Sequence, residues 1–173
     1  MFESYWGSHI QRPCISNDYK AFFYAYTFPK KFANIRSYLI TEFIQFMHII
    51  IALGAIAAML SVVFGAMGAH LLQDVLSIKA LSNFQKASDY QMYHGLATIL
   101  AGISFQHAKR PNMLRYAAWL FIAGIILFSG SLYLYSLTGT KTWAMVTPFG
   151  GTAFIFAWLL FAMGFLLPQK KQN

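Results

Sequence analysis

Runs of about 20 apolar residues recur along this chain, and a run of that length is what a helix needs to cross the ~30 Å hydrocarbon core of a bilayer. Four such stretches can be drawn, over residues 47–69, 83–106, 113–137 and 148–167. The chain has 173 residues, 58% of them hydrophobic and 10% charged. Soluble domains carry about 25% charged residues, so the balance of charge points the same way as the runs. The pattern predicts an all-α protein, an integral membrane four-helix bundle forming one domain. A short amphipathic interfacial helix is expected between spans one and two.

Residues 1–46 differ from the rest. They mix charge with aromatics (Phe22, Phe23, Tyr24, Tyr26, Phe28, Phe32), carry Pro13 and Pro29, and sustain no helical period. They have neither the apolar core nor the cleavage site of a signal peptide. Acidic Glu3, Asp18 and Glu42 intrude on a basic presequence pattern. They read as an N-terminal extension, and a start of translation at Met47 is an open alternative. The membrane domain is then 47–167, and 168–173 is a tail. The single cysteine, Cys14, rules out an internal disulfide and a cysteine metal cluster.

Span one carries Ala57, Ser61, Gly65 and Ala69 at intervals of four, with Gly54 and Ala58 as a second small pair. Small residues on one face let another helix approach closely in lipid. Gly68, Gly130, Gly150 and Gly151 are read as packing positions for the same reason. Residues 71–82 alternate apolar with polar side chains and predict the amphipathic interfacial segment. Ser82-Asn83-Phe84-Gln85 has the capping-box form, which places the start of span two near Asn83. Gln91, His94 and Thr98 then share one helix face. Span three carries Tyr116 and Trp119 near one end and Tyr133 and Tyr135 near the other, as interface anchors would be. Gly139 is a plausible stop. Thr147-Pro148 is a helix start, an N-cap followed by proline at N1.

Four spans place both termini on one side. That side holds Arg12, Lys20, Lys30, Lys31, Arg36, Lys109, Arg110, Arg115, Lys170 and Lys171, against Lys79, Lys86 and Lys141 on the other. The positive-inside rule puts both termini in the cytoplasm. The formal charge of +8 is accounted for by these flanks, and no basic-aromatic groove suggests nucleic acid. With this topology His70, Gln91, Tyr93, His94, Ser129, Tyr133 and Thr147 are expected at one depth, in the outer half of the bundle.

Four motifs now stand in order: Gly65-Ala66-Met67-Gly68-Ala69-His70, Tyr90-Gln91-Met92-Tyr93-His94, Ser129-Gly130-Ser131-Leu132-Tyr133 and Thr147-Pro148-Phe149-Gly150-Gly151. Together they resemble the YgdD-like family of small bacterial inner-membrane proteins, a domain of unknown function with short mitochondrial-membrane relatives in animals. The resemblance covers about 47–167. It implies a four-span protein of the bacterial inner (plasma) membrane and carries no activity.

The outer cluster admits three readings. Its members hydrogen-bond across helices and hold the bundle, or bind a small molecule, lipid headgroup or partner protein. Alternatively His70 and His94 ligate a metal or haem, though no carboxylate or cysteine is placed with them. Ser129, Tyr133 and Ser136 share a face, and serine in a membrane helix is more often a packing residue than a nucleophile. No acid lies inside an apolar run, which removes the usual proton site of a small coupled transporter. The expectation is a non-enzymatic membrane protein with no cofactor and no metal, whose partners are the bilayer and a second copy or another membrane protein. A transporter or channel subunit is the alternative, and a haem- or metal-linked membrane enzyme the second.

Overall fold

The computed structural model describes residues 30–168. The expected extension falls largely on residues 1–29, with Cys14, and the tail on 169–173, outside the described residues. The chain divides into two units, Met1–Glu42 and Phe43–Asn173, and the packing below is that of the second. The described residues form four long helices: α1 (Lys30–His70), α2 (Ile78–Ser104), α3 (Pro111–Thr138) and α4 (Lys141–Leu166). The protein is all-helical, as the apolar runs require. In lipid the backbone must satisfy itself, and a helix does so within each segment.

Within α1, Ile44–His70 is long and apolar enough to cross a membrane, as are α3 and α4. The helix begins well before residue 47, because residues 30–46 contain neither glycine nor proline to stop it. At its far end the Met67 carbonyl accepts from both Leu71 N–H and Leu72 N–H, at 2.8 and 3.0 Å. The chain then turns through 71–76 where a separate interfacial helix was expected. Ser77, not Ser82, is the N-cap of α2, its hydroxyl accepting from Ala80 N–H at 3.3 Å. The residues from Ile78 that looked interfacial are the first turn of α2 itself.

α2 has the length of a span, 27 residues or about 40 Å, but is more polar than the other three. It runs antiparallel along α1, so that Phe84 lies against Gly68, Ser88 against Ser61, Gln91 against Ala57 and Gly95 against Gly54. Backbones touch at the Gly54–Gly95 crossing, where an added Cβ on Gly54 would stand 2.7 Å from the Gly95 carbonyl oxygen. The small residues of α1 therefore form its contact with α2. Ser88, Gln91, His94 and Thr98 are buried, while Leu96, Leu100 and Ile103 are exposed. α2 turns its polar face inward and an apolar face out.

α3 contains one π-turn, Ile125–Ser129, where Gly130 N–H bonds the Ile125 carbonyl five residues back. It ends at Gly139, in the left-handed conformation at φ 66, whose N–H caps the Tyr135 carbonyl at 2.9 Å. The expected loop over 138–146 shrinks to two residues. α4 starts at Lys141 and carries Pro148 inside it, so Thr147-Pro148 is not a helix start. Proline is tolerated within membrane helices because neighbouring helices and Ser or Thr side chains compensate the lost bond. At the opposite end Arg110 bonds the close of α4, its N–H to the Gly164 carbonyl at 3.0 Å and its Nε to the Pro168 carbonyl at 2.9 Å. Ala97, Ala117, Phe121, Phe154 and Ala157 form the core where α2, α3 and α4 meet.

Candidate functional site

The buried polar side chains lie along the helix interfaces. Between α1 and α2, Ser61 and Ser88 exchange bonds: each hydroxyl donates to the other's carbonyl, at 2.8 and 2.9 Å. One turn on, Gln91 Nε2 donates to the Ala57 carbonyl at 2.9 Å. Between α3 and α4, the hydroxyls of Ser131 and Thr147 share a bond of 2.8 Å. Side-chain bonds of this kind associate helices where the hydrophobic effect supplies no force.

His94 lies against Phe154, near the middle of α4. Its ring is stacked on Phe154 at 3.4 Å and 8°, with Phe121 at 5.7 Å. Nδ1 lies 2.8 Å from the Tyr90 carbonyl, which only accepts, so Nδ1 carries the proton. Nε2 is then the acceptor, and the Trp158 indole N–H donates to it at 3.4 Å. Both ring nitrogens are engaged and the imidazole is neutral. Trp158 was not singled out from sequence. Its position was the available signal, since tryptophan gathers at membrane boundaries and this one sits deep in a span.

The seam between α2 and α3 is different. Tyr133 is wedged between Phe64 of α1 and Phe84 of α2, with ring centroids at 4.8 and 4.7 Å. Its hydroxyl lies within hydrogen-bonding reach of the Ser88 hydroxyl. The hydroxyls of Ser129 and Ser136 are buried with no hydrogen-bond partner among the described residues, and that of Tyr133 makes no well-formed bond beyond its approach to Ser88.

The expected cluster is therefore not one assembly at one depth. His70 is exposed at the end of α1, 13 residues or about 20 Å along the helix from the Ala57 carbonyl that Gln91 reaches. His70 and His94 do not come together, and among the described residues no three His, Cys, Asp or Glu gather as a metal site. Tyr93 is exposed on the outside of α2, at 59%. Tyr133 lies at the α2–α3 seam, Ser129 falls on the same face of α3 by helical spacing, and Thr147 is at the α3–α4 contact. Ser88 and Ser131 join the buried polar set, helical spacing from Gln91 being the signal for Ser88, and Ser136 is buried on the face it was expected to share with Ser129 and Tyr133. Of the expected packing glycines, Gly65, Gly68 and Gly150 face neighbouring helices, whereas a Cβ on Gly130 would meet nothing.

The comparisons with known proteins agree with a membrane protein. A family model described as a protein of unknown function, DUF423, matches residues 64–151. The chain belongs to this family. The match runs from one residue before the first of the four motifs to the last residue of the fourth. A UPF0382 membrane protein of Staphylococcus aureus (strain bovine RF122 / ET3-1) is 46% identical over 114 residues, 66% of this chain and 92% of the relative. One from Staphylococcus epidermidis (strain ATCC 12228 / FDA PCI 1200) is 45% identical over 121 residues, 69% of this chain and 97% of its own length. The UPF0382 membrane protein YwdK of Bacillus subtilis (strain 168) is 40% identical over 114 residues, 66% and 93%. About two thirds of the chain thus accounts for nearly all of each relative. No solved structure matches. The chain is an uncharacterised membrane protein of a bacterial family that carries no enzymatic name.

Proposed function

We propose that this is a non-enzymatic, multi-pass protein of the bacterial inner membrane that binds a small polar ligand in the seam between α2 and α3. The observation that carries the reading is the contrast between seams. The α1–α2 and α3–α4 interfaces close their buried polar groups on one another, and His94 has both nitrogens engaged. Ser129 and Ser136, on either side of Tyr133, are left without partners among the described residues, and buried polar groups in native proteins are nearly always satisfied by protein, water or ligand. His94 and Gln91 hold the helices in place, and the ligand position is the hydroxyl stripe. The four motifs support kinship with the YgdD-like family and its short mitochondrial relatives. The distribution of lysine and arginine supports cytoplasmic termini.

Native mass spectrometry of the protein released from gentle detergent tests the binding. Wild type is expected to carry a defined adduct, a small molecule or a lipid, that is lost in Ser129→Ala/Ser136→Ala. Loss of the adduct in His94→Ala alone would move the site to the middle of the bundle, and a bare wild type would refute binding. A reporter fused at Asn173 is expected to be active only as a cytoplasmic fusion.

A further inference from the structure

A hydroxyl inside a membrane helix has a default partner, the carbonyl of its own helix three or four residues back. Thr98 takes it at 2.7 Å, Ser131 at 3.0 Å, Thr138 at 2.7 Å and Thr152 at 2.8 Å. Ser129 and Ser136 do not, although they are 0% and 5% exposed. Their hydroxyls make no bond of the kind that Ser131 and Thr138 make on the same helix. Residues 129, 133 and 136 fall at i, i+4 and i+7, one face of α3. The ring of Tyr133, held between Phe64 and Phe84, directs that face toward α1 and α2. Ser129 also closes the π-turn, a local widening that recurs at functional sites.

The chemistry of the stripe is uncharged. Each hydroxyl both donates and accepts, and Ser88 opposite has committed its proton to the Ser61 carbonyl, leaving lone pairs to offer. Asp89 is exposed beside the seam rather than buried in it. A buried ion would need a paired charge, whereas water bonds to about three such groups where it is buried. We propose that Ser129, Tyr133 and Ser136 line a hydrated site, occupied by ordered water and open to small uncharged molecules that carry both a donor and an acceptor. This deepens the binding function proposed above and rests on it for the ligand, while the hydration stands on the unpartnered hydroxyls alone.

Radiolytic hydroxyl-radical footprinting of the full chain in nanodiscs reads the water directly, because bound water generates radicals in place. Tyr133 is expected to be modified several-fold faster than Phe121, which is buried in the apolar core, after correction for intrinsic reactivity. In Ser129→Ala/Ser136→Ala that excess should disappear and the melting temperature should fall. Equal modification of Tyr133 and Phe121 in the wild type overturns the proposal, as does a melting temperature that rises in the double variant, the result expected of dry, unsatisfied hydroxyls. A lipid adduct on a protein whose Tyr133 is unmodified overturns hydration while leaving the binding reading intact. A modified Tyr133 on a protein without an adduct supports hydration while refuting the binding reading.

Discussion

Gly150 and Gly151 are adjacent, identical in chemistry and opposite in what an added methyl would meet. At Gly150, α4 lies directly on the backbone of the π-turn, and a Cβ there would stand 2.7 Å from both Cα and Cβ of Phe128. Carbon atoms in contact prefer 3.5–4.0 Å, so Gly150→Ala forces the helices apart by about 1 Å. The obstacle is main chain, so no rotamer change relieves it. Overpacking of this kind costs about 1–3 kcal/mol, and a backbone obstacle belongs at the upper end. At Gly151 the nearest atoms are ring carbons of Phe128 at 3.8 and 3.9 Å, ordinary contact. Gly151→Ala is then neutral, or gains up to ~1 kcal/mol from the better helix propensity of alanine.

The propensity gain is common to both variants and cancels, so they should differ by the overpacking cost, about 2–3 kcal/mol for a backbone obstacle. That is at least a tenfold ratio in their unfolding equilibria, since each 1.4 kcal/mol is tenfold. SDS-driven unfolding from mixed micelles, followed by tryptophan fluorescence, measures both against wild type. Separation of the helices should also lengthen the Ser131–Thr147 bond, so Thr147→Val should cost less in the Gly150→Ala background than alone. Equal stabilities for Gly150→Ala and Gly151→Ala, or the reverse order, would refute the close α3–α4 packing and with it the placement of the π-turn.

Gln91→Leu removes the bond to the Ala57 carbonyl and should lower stability by about 0.6–1.7 kcal/mol, the range for interhelical bonds in lipid, in the same SDS titration. His94→Ala loses the Phe154 stack and leaves a cavity, with an expected cost of about 2–5 kcal/mol and a shift in Trp158 emission as its acceptor disappears. His94→Phe should recover most of that stability without restoring the emission. Arg110→Ala should free the close of α4, seen as faster hydrogen exchange over 163–168 with little change at the core.

The apolar runs made the helices legible, because length and hydropathy alone decide what a bilayer accepts. The ends were less so. Thr147-Pro148 looked like a helix start because proline rarely lies inside a soluble helix, but in a membrane helix it is tolerated, and Thr147 bonds Ser131 of α3 instead of capping. Ser82 looked like an N-cap because its capping-box partner was in place, while Ser77 five residues earlier took the role with one backbone N–H. The shared depth of His70 and His94 followed from placing residue 70 and residue 94 relative to helix ends. The antiparallel register with α1, set by Gly54 against Gly95 and Ser61 against Ser88, puts His94 far deeper. No one-dimensional pattern states that register. The π-turn was equally hidden, since nothing in Ile125–Ser129 distinguishes it from ordinary α-helix by residue type.

The most polar helix is also the one that turns its polar face inward, and the two facts have one cause. Helices in lipid gain nothing from burying apolar surface against one another, so association needs close packing and hydrogen bonds. α2 supplies both: Gly95 and Ala97 for contact, Ser88, Gln91 and His94 for bonds. Its polarity is tolerable only because α1, α3 and α4 cover it, and those helices keep their register only because α2 bonds to α1 and α4. A buried hydroxyl that bonds no neighbouring helix contributes nothing to that exchange, and serine could have bonded its own carbonyl at no cost. Ser129 and Ser136 do neither, on the face of α3 where Tyr133 meets α1 and α2. Packing therefore accounts for the α1–α2 and α3–α4 seams, and it leaves the hydroxyls of Ser129 and Ser136 to the site proposed at the α2–α3 seam.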